Sequence, residues 1–499
     1  MKILFAASEV VPFAKTGGLA DVAASLPSAL KALGHDVRVI MPRYRSVGKA
    51  GIPIKEMGKK VAIRVGDEIH PGSLALAELP SGVPVYLVGY DPYFDREGLY
   101  GSGRGDYPDN ASRFIFFSRA VLEAVKTLDF VPDILHLNDW QTALAALYLK
   151  TGRGPAFSHE IASVFTIHNL GYQGLFARGE MPLTGLGWDL FTPRGIEFYG
   201  KINFLKAGLI AADRITTVSR RYAEEIRTPE YGSGLEGVLQ ERSRDLVGII
   251  NGVDYSCWDP KTDPLIPARY SPDALDGKAV CKRALKKEFG LKGPQSRPLI
   301  GCVSRLTDQK GFDLIVESAE KLSIMDLSLV VLGDGEERYR KGLAALVDAF
   351  PDRFGLRVGY NDSLAHLIEA GADFFLMPSR YEPCGLNQMY SLKYGTVPIV
   401  RATGGLDDTI LSFDTGTGFG NGFKFSDYSS AALLKTLQEA LAVYRIPAAW
   451  KRLRANAMAC DFSWERSARE YVGLYEELLK DLSNPSGRDR EDSNVLQGR

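Results

Sequence analysis

The sequence predicts an α/β protein with two doubly wound parallel sheets, and three observations carry this prediction. Short apolar strands alternate with helical segments from the first residues onward. The strands are apolar along nearly their whole length, which is typical of strands buried on both faces of a parallel sheet. The alternation stops in a Pro- and Asp-rich stretch at 258–272 and then starts again. A chain of 499 residues is also too long for one ordinary core.

The first series opens with a βαβ unit. Residues 2–7 are strand-like, a loop with two glycines follows, and helical spacing runs from Leu19 to Leu33 before Gly34 ends it. Further strands are expected at 37–41, 61–65, 83–88, 134–137, 164–167, 214–218 and 246–250, and helices at 111–128, 142–149 and 206–211. We therefore expect a first domain over 1–250.

The second series has expected strands at 299–303, 329–332, 374–377 and 397–400, with helices between them. It predicts a second Rossmann-like domain over 251–462. The helical segment 463–483 is expected to pack back on the first domain. Residues 484–499 lack apolar spacing and predict a disordered tail.

Composition excludes several classes of function. Sixty basic and sixty-one acidic residues give a net charge of −1, so no field attracts nucleic acid or an anionic membrane. The apolar segments are too short to span a bilayer. The five cysteines are dispersed without a C-x-x-C pair, which indicates a reducing compartment. Because the first strand begins at Lys2, we expect no signal peptide and a cytoplasmic location.

The sequence contains no P-loop and no Asp-x-Asp triplet, and no G-x-G-x-x-G directly follows a predicted strand, as the dinucleotide fingerprint requires. We therefore expect neither nucleotide hydrolysis nor hydride transfer. If the protein handles a sugar nucleotide, protein cations and amide groups must neutralise the diphosphate, since no metal-holding Asp pair is present.

Two strand ends in the second half carry candidate phosphate ligands. Arg305 and Lys310 follow the strand 299–303, at the edge where ligands bind in open α/β sheets. They are either ligands or ordinary surface cations. Glu382 and Gly385 lie where the strand 374–377 gives way to a helix, whose free N–H groups would bind phosphate. Glu382 is either a sugar ligand or a turn residue, and its neighbours favour the first.

Candidate ligands also follow strands in the first half. Lys15 and Gly18 occupy the first βα turn, where a phosphate or ribose would bind. Asp21 contacts a sugar or merely favours the helix dipole. His168 ends a strand, a position that is more often structural. The pair 139–140, Asp then Trp, either binds sugar or anchors the loop by a buried ring.

Together these segments resemble the glycogen and starch synthases that use ADP-glucose or UDP-glucose. The matching segments follow the family's order over most of the chain: KTGGLADV at 15–22, YFDREGLYG at 93–101, YPDNASRFIFFSRA at 107–120, TIHNLGYQG at 166–174, TTVSRRYAEEI at 216–226, TPEYGSGLEGVL at 228–239, IINGVD at 249–254, SRLTDQKGFDL at 304–314 and RYEPCGLNQMYSLKYGTVPIVRATGGLDDT at 380–409.

The resemblance implies the GT-B architecture, in which two Rossmann-like domains face a deep cleft. It also implies transfer of glucose from ADP-glucose, or UDP-glucose, to the non-reducing 4-hydroxyl of an α-1,4-glucan, with retention and without metal or cofactor. The implied catalytic residues are His168, Glu382, Arg305 and Lys310. The implied donor-binding residues are Lys15, Gly18, Arg305, Lys310, Glu382, Cys384, Gly385 and Leu386. The implied sugar- or acceptor-binding residues are Asp21, Asp139, Asn169 and Asn251.

The chain departs from the family at three positions. Asn138 and Gln141 stand where the family often has histidine in H-x-H-D-W-H, and Asn387 replaces the usual Thr. These departures affect acceptor contacts and donor geometry and leave the reaction class intact. Two alternatives stay open: a GT-B transferase with another acceptor, such as one making trehalose, sucrose or a glycoconjugate, and a non-catalytic glucan-binding homologue. A glucan phosphorylase would need a pyridoxal phosphate lysine, for which the sequence offers no support.

Overall fold

The computed structural model describes residues 1–103, 105–153 and 161–483 and divides into two compact units. The first unit holds Met1–Val218, Ala223–Gly252 and the helix that begins at Trp464. The second holds Ser219–Tyr222 and Val253–Ser463. The sequence did not predict that Ser219–Tyr222 groups with the second unit. The predicted disordered tail, 484–499, lies outside the described residues.

The first unit is built on a mixed sheet of nine strands, with two small sheets beside it. Its strands are β1 (Lys2–Ala6), β2 (Asp36–Pro42), β3 (Lys55–Val65), β4 (Glu68–Glu78), β5 (Pro84–Gly89), β6 (Gly101–Ser102), β7 (Gly105–Asp106), β8 (Ile134–Asn138), β9 (Ala162–Ile167), β10 (Leu175–Ala177), β11 (Glu197–Phe198), β12 (Lys201–Asn203), β13 (Arg214–Thr217) and β14 (Leu246–Gly248). Its helices up to the second unit are α1 (Gly18–Ala32), α2 (Asp91–Phe94), α3 (Asn110–Thr127), α4 (Leu144–Lys150), α5 (Met181–Thr184), α6 (Phe204–Ala211), α7 (Arg220–Glu225), whose first three residues are grouped with the second unit, and α8 (Glu236–Glu241).

The main sheet of the first unit has the order β14-β13-β9-β8-β1-β2-β5-β4-β3. The strands from β14 to β5 are parallel, as predicted. The edge differs from the prediction, because β3 and β4 form an antiparallel hairpin and β4 pairs antiparallel with β5. A turn at Gly66 and Asp67 joins this hairpin, and so short a connection can only link antiparallel strands. Gly66 has φ +60°, which suits glycine.

The second unit has one parallel sheet of six strands, order β17-β16-β15-β18-β19-β20. Its strands are β15 (Leu299–Val303), β16 (Ser328–Gly333), β17 (Phe354–Val358), β18 (Phe374–Met377), β19 (Val397–Arg401) and β20 (Phe423–Phe425). Its helices are α9 (Asp276–Glu288), α10 (Phe312–Glu317), α11 (Ala319–Ile324), α12 (Glu337–Ala349), α13 (Asp362–Gly371), α14 (Asn387–Lys393), α15 (Gly404–Thr409), α16 (Ser430–Tyr444) and α17 (Pro447–Met458).

The strand orders fix where a ligand can bind in each unit. In the second unit the order runs outward from β15 in one direction and from β18 in the other, which is the doubly wound pattern. In the first unit the order runs outward from β1 and from β8 in the same way. Crevices form at such switch points, outside the carboxyl ends of the strands. The loops after β1, β8, β15 and β18 therefore border these candidate ligand-binding crevices.

The last helix, α18 (Trp464–Ser483), packs against α1 and β9 of the first unit. Its buried residues recur at helical spacing and form one apolar face: Trp464, Ser467, Ala468, Tyr471, Leu474, Tyr475 and Leu478. No helix among the described residues is long and apolar enough to cross a membrane.

Candidate active site

Three loops meet at the carboxyl edge of the second unit's sheet. The loop after β15 approaches the loop after β18 so closely that a Cβ on Gly311 would lie 2.0 Å from the carbonyl oxygen of Pro378. The start of α15 lies against the same segment: a Cβ on Gly405 would be 2.0 Å from the carbonyl oxygen of Cys384. The amide of Gly405 donates to the carbonyl of Glu382 at 3.1 Å. Glycine at these positions lets the backbones touch, which holds the loop after β18 in place.

Lys310 and Glu382 form the charged centre of this edge. The Lys310 Nζ lies 2.5 Å from the Glu382 Oε2, and their side chains are 17% and 7% exposed. The Ser379 hydroxyl donates to the same carboxylate oxygen at 3.1 Å. The two residues come from loops after different strands, yet the fold brings them together. The pair places a positive and a negative group at the switch point, where a ligand with both phosphate and hydroxyl groups would find partners for each.

Arg305 lies on the exposed surface of the loop after β15. Its Nη2 donates to the Gln309 Oε1 at 3.4 Å, which leaves the guanidinium able to reorient. An exposed guanidinium retains its five N–H donors for a bidentate contact with phosphate oxygens. The side chain of Lys310 is half-buried and fixed by its ion pair with Glu382. The side chain of Arg305 is exposed, and its position depends mainly on the backbone of the loop.

The segment Cys384–Leu386 precedes a helix, as the sequence predicted, and α14 begins one residue later, at Asn387. Gly385 has φ +71°, a conformation that favours glycine. The Asn387 Nδ2 donates to the carbonyl of Val303 at 2.8 Å. The departure at 387 therefore ties the start of α14 to the end of β15.

In the first unit, the loop after β1 presents an exposed lysine at the start of a helix. The Lys15 Nζ lies 2.8 Å from the Asp21 Oδ1, and the two side chains are 50% and 33% exposed. Gly18 opens α1, and no atom lies within 4 Å of a Cβ built on Gly17 or Gly18. The helix start is thus open, with its first amides and one ammonium group on the surface.

A buried carboxylate lies beneath this loop. Glu9 is 4% exposed, and its Oε1 accepts a hydrogen bond from the Thr16 hydroxyl at 2.6 Å. The amides of Thr16 and Gly17 donate to its Oε2, the latter at 3.2 Å. The Tyr100 hydroxyl donates to its Oε1 at 2.7 Å. The sequence reading missed Glu9 and Tyr100, because neither belongs to a motif with an obvious chemical role.

Asp139 follows β8 and is held by backbone amides. The amide of His168 donates to its Oδ1 at 2.8 Å. Burial raises the pKa of Asp139 to about 7, the amides of His168 and Asn169 oppose that rise, and the charge of Glu9 adds to it. Asp139 itself has φ +55°, a strained conformation for a residue with a side chain. An acid that titrates near neutrality and sits in strained backbone at a switch point is typical of a functional site.

His168 follows β9, and its Nε2 lies 2.9 Å from the Asn138 Oδ1. The Asn138 Nδ2 donates to the carbonyl of Ala6 at 3.0 Å, so its Oδ1 faces the imidazole as an acceptor. The proton of the neutral ring is therefore on Nε2, and Nδ1 carries the lone pair. Burial lowers the pKa of His168 to about 3, so the ring is uncharged at neutral pH. The departure at 138 thus sets the tautomer of a predicted site residue.

The other residues of this region differ in role. His136 is a structural residue, with Nδ1 2.6 Å from the Tyr475 hydroxyl and Nε2 2.6 Å from the Thr166 hydroxyl. Trp140 packs its ring on Phe114 at a centroid distance of 4.8 Å, so it anchors the loop. The Asn169 Oδ1 accepts from the amide of Gly171 at 3.0 Å and closes a turn.

Two amide side chains of the first unit have buried oxygens that lack partners. Asn251 is 6% exposed and Gln141 is 5% exposed. Neither the Asn251 Oδ1 nor the Gln141 Oε1 accepts a hydrogen bond from any described residue. An unpaired buried carbonyl oxygen lowers the stability of the fold by about 1–3 kcal/mol. Each of these oxygens is therefore a candidate acceptor for a hydrogen bond from a ligand. Over the ranges that the structure describes, no three His, Cys, Asp or Glu side chains cluster in a way that could hold a metal ion.

The chain is similar to known proteins along nearly its whole length. Residues 2–241 match the family model of the starch synthase catalytic domain, and residues 285–456 match that of glycosyl transferases group 1. The chain is 53% identical over 479 residues to a glycogen synthase of Koribacter versatilis, covering 95% of this chain and 98% of the relative. It is 48% identical over 482 residues to that of Syntrophotalea carbinolica, covering 96% and 99%.

Solved structures give the same result. The catalytic domain of starch synthase IV from Arabidopsis thaliana, bound to ADP and acarbose, superposes with a TM-score of 0.88 at 33% identity, covering 96% of this chain and 99% of that one. The sucrose-phosphate synthase of Thermosynechococcus elongatus superposes with a TM-score of 0.58 at 17% identity, which shows a shared fold alone.

Proposed function

This chain belongs to the glycogen and starch synthase family of glycosyltransferases, and we propose that it transfers glucose from ADP-glucose to the 4-hydroxyl at the non-reducing end of an α-1,4-glucan. The transfer retains the anomeric configuration and needs no metal. The observation that carries the proposal is the Lys310–Glu382 pair at the switch point of the second unit, in a chain similar to glycogen synthases along nearly its whole length.

The second unit binds the donor in this proposal. Arg305 and Lys310 neutralise the diphosphate, and the amides at Cys384–Leu386 add hydrogen bonds to its oxygens. Glu382 accepts hydrogen bonds from glucose hydroxyls while it holds Lys310 in place. We propose ADP-glucose over UDP-glucose as the donor because the Arabidopsis starch synthase IV structure, 33% identical to this chain, is bound to ADP.

The chemistry follows from where charge develops. Breaking the bond between the glucosyl carbon and the diphosphate leaves positive charge on the sugar and extra negative charge on the leaving group. A cation held in place before the reaction stabilises that leaving group without reorganisation cost, and Lys310 meets this condition. The acceptor hydroxyl passes its proton to the departing phosphate, so no separate general base is required.

The first unit supplies the sugar and acceptor contacts in this proposal. Lys15 and Gly18 assist with the diphosphate. His168 contacts the reacting glucose as a neutral ring, so it adds no positive charge beside a carbon that itself becomes positive. Asp21, Asp139 and Asn169 bind sugar hydroxyls, and Asn251 offers its unpaired Oδ1 to another.

Two further features complete the proposal. All five cysteines are free thiols, which suits a reducing compartment, and we place the reaction in the cytoplasm. The alternative of a non-catalytic glucan-binding protein is disfavoured because the half-buried Lys310 is held at the carboxyl edge by Glu382, and an uncharged glucan offers no negative charge for such a cation to neutralise.

Labelled glucose incorporation into glycogen tests the proposal. ADP-glucose and UDP-glucose are compared as donors in buffer that contains EDTA, and the product is digested with amylase. We expect amylase-sensitive label, with ADP-glucose as the better donor. A higher rate from UDP-glucose would overturn the donor assignment, and a loss of activity in EDTA that a divalent ion restores would overturn metal independence. No label from either donor would favour the non-catalytic alternative.

A further inference from the structure

The site in the first unit contains a carboxylate whose role the reaction does not explain. Glu9 is buried, and its two carboxylate oxygens accept hydrogen bonds from Thr16, Gly17 and Tyr100. None of these contacts is suited to sugar recognition. Placing an anion directly beneath a loop that receives a diphosphate opposes binding on charge grounds alone. Its presence therefore calls for another physical reason.

That reason is the division of hydrogen-bond donors in the loop. The helix start offers several amides without intrahelical partners. Glu9 takes the amides of Thr16 and Gly17, on the inner side of the loop. Lys15 and Gly18 are exposed, and the space around the Cβ positions of Gly17 and Gly18 is open. The carboxylate thus uses the inner donors and leaves the outer ones facing solvent.

We propose that Glu9 is a positioning residue for donor binding. Its buried carboxylate accepts hydrogen bonds from Thr16 and Gly17 and so holds the loop in a conformation in which Lys15 and Gly18 can contact the diphosphate of the donor. The inference rests on the proposed function, since it requires a nucleotide-sugar donor. Glu9 touches neither the donor nor the reacting atoms and acts through the loop. The energetic reason is that a loop fixed before binding loses less entropy when the donor arrives.

The chain contains a matched anchor that separates positioning from simple stabilisation. The Asp213 Oδ2 accepts from the amide and the hydroxyl of Ser163, at 2.9 and 2.7 Å, as Glu9 accepts from those of Thr16. Asp213 precedes β13 and so lies at the opposite, amino-terminal edge of the sheet. Glu9→Gln and Asp213→Asn are the same chemical change on the same kind of contact. An amide oxygen accepts at most two hydrogen bonds, so Glu9→Gln loses part of the set that the Glu9 carboxylate accepts. Asp213→Asn replaces a charged acceptor by a neutral one for the two Ser163 donors and so weakens the link between β9 and the residue before β13.

The experiment is a double-mutant cycle on binding of ADP-glucose, measured by calorimetry on the full chain. We expect Glu9→Gln and Lys15→Ala each to weaken binding by roughly 10- to 100-fold, the range for losing one well-placed polar contact. The double variant should bind ADP-glucose at most about threefold more weakly than the single variant with the lower affinity, because both substitutions act through one loop. In kinetics, the KM for ADP-glucose should rise in Glu9→Gln while the KM for glycogen stays constant. Asp213→Asn should lower the melting temperature and leave donor binding unchanged.

Several outcomes would overturn the inference. Multiplicative effects of Glu9→Gln and Lys15→Ala would show that Glu9 does not act through the loop. A comparable loss of donor binding in Asp213→Asn would reduce Glu9 to a general stabiliser. If Glu9→Gln fails to fold, Thr16→Val removes the hydroxyl bond to Glu9 and must show the same coupling to Lys15→Ala in smaller degree. A wild-type chain that binds neither ADP-glucose nor UDP-glucose would refute the proposed function itself, whereas binding without coupling would refute only the role of Glu9.

Discussion

At the scale of single residues, the site holds its charges by different means in the two units. Lys310 is fixed by a short ion pair that is largely shielded from water. Lys15 pairs with Asp21 on the exposed surface, where such a pair contributes little to stability and yields easily to an anionic ligand. The structure thus assigns the fixed charge to Lys310 and an adaptable one to Lys15.

Lys310→Ala tests the fixed charge. Turnover should fall by about 10²–10³, the scale for losing one preorganised partner of a developing charge. Lys292→Ala is the control, because Lys292 pairs with Asp352 on the exposed surface of the same unit. Their side chains are 75% and 54% exposed, so removing this ion pair should change turnover little. Initial rates with saturating donor measure both. Turnover in Lys310→Ala equal to that of the control would remove Lys310 from the leaving-group assignment.

Two histidines make the first unit sensitive to acid. Burial lowers the pKa of both His136 and His168 to about 3, below the ordinary value of about 6.5. At these two histidines the unfolded chain therefore binds more protons than the folded one between these values, so their contribution to the free energy of unfolding falls as pH drops from 6.5 towards 3. The raised pKa of Asp139 opposes this fall, because the folded chain holds the proton of that carboxyl up to about pH 7. Denaturant titrations across this range measure the slope. His136→Asn should reduce the slope, and an unchanged slope would show that His136 is not buried as a neutral ring.

At the scale of elements, the loops at the strand ends owe their shape to contacts between backbones. Sequence reasoning placed Lys310 and Glu382 correctly at the ends of two strands, because apolar runs and the loops after them are local features. It did not foresee that Gly404 and Gly405 support Glu382, since that contact joins segments more than twenty residues apart. Glu9 was missed because its partner Tyr100 lies 91 residues further along the chain. The β3–β4 hairpin was missed because no strand was predicted over the residues of β4.

Gly405→Ala tests this support. The new Cβ would lie 2.0 Å from the carbonyl oxygen of Cys384, so the loop carrying Glu382 must move. A displacement of about 1 Å at such a site costs roughly 10²-fold in turnover. Gly473→Ala in α18 is the control, because its Cβ meets nothing within 4 Å and the change should stabilise the fold by about 0.4–1 kcal/mol. Full activity in Gly405→Ala would contradict the role given to this contact.

The helix α18 is joined to the first unit by a polar contact as well as by its apolar face. The Tyr475 hydroxyl bonds His136 within the buried interface. Tyr475→Phe should lower the free energy of unfolding by about 1–3 kcal/mol, because the imidazole nitrogen loses its partner. Tyr199→Phe, at a side chain that is 83% exposed, should change nothing measurable. Equal unfolding midpoints for the two variants would show that the Tyr475 bond contributes no stability.

At the scale of the whole molecule, the doubly wound arrangement occurs twice. The sheet is mixed in the first unit and parallel in the second, each has one switch point, and each switch point carries charged or titratable side chains. The doubly wound class could be predicted from hydrophobic patterning, because buried parallel strands are apolar throughout. The edge of the first sheet could not, because no strand was predicted over the residues of β4. The assignment of Ser219–Tyr222 to the second unit could not, because it depends on contacts with residues far away in the sequence.

Proton NMR of a single reaction distinguishes whether this chain extends an α-1,4-glucan by retaining transfer from ADP-glucose. Maltoheptaose and ADP-glucose are incubated with the full chain in EDTA-containing buffer, and the anomeric signals are followed with time. We expect loss of the ADP-glucose signal and matching growth of an α-1,4 anomeric signal, with oligosaccharides longer by one glucose. A β-linked product, or release of free glucose without chain extension, would contradict it.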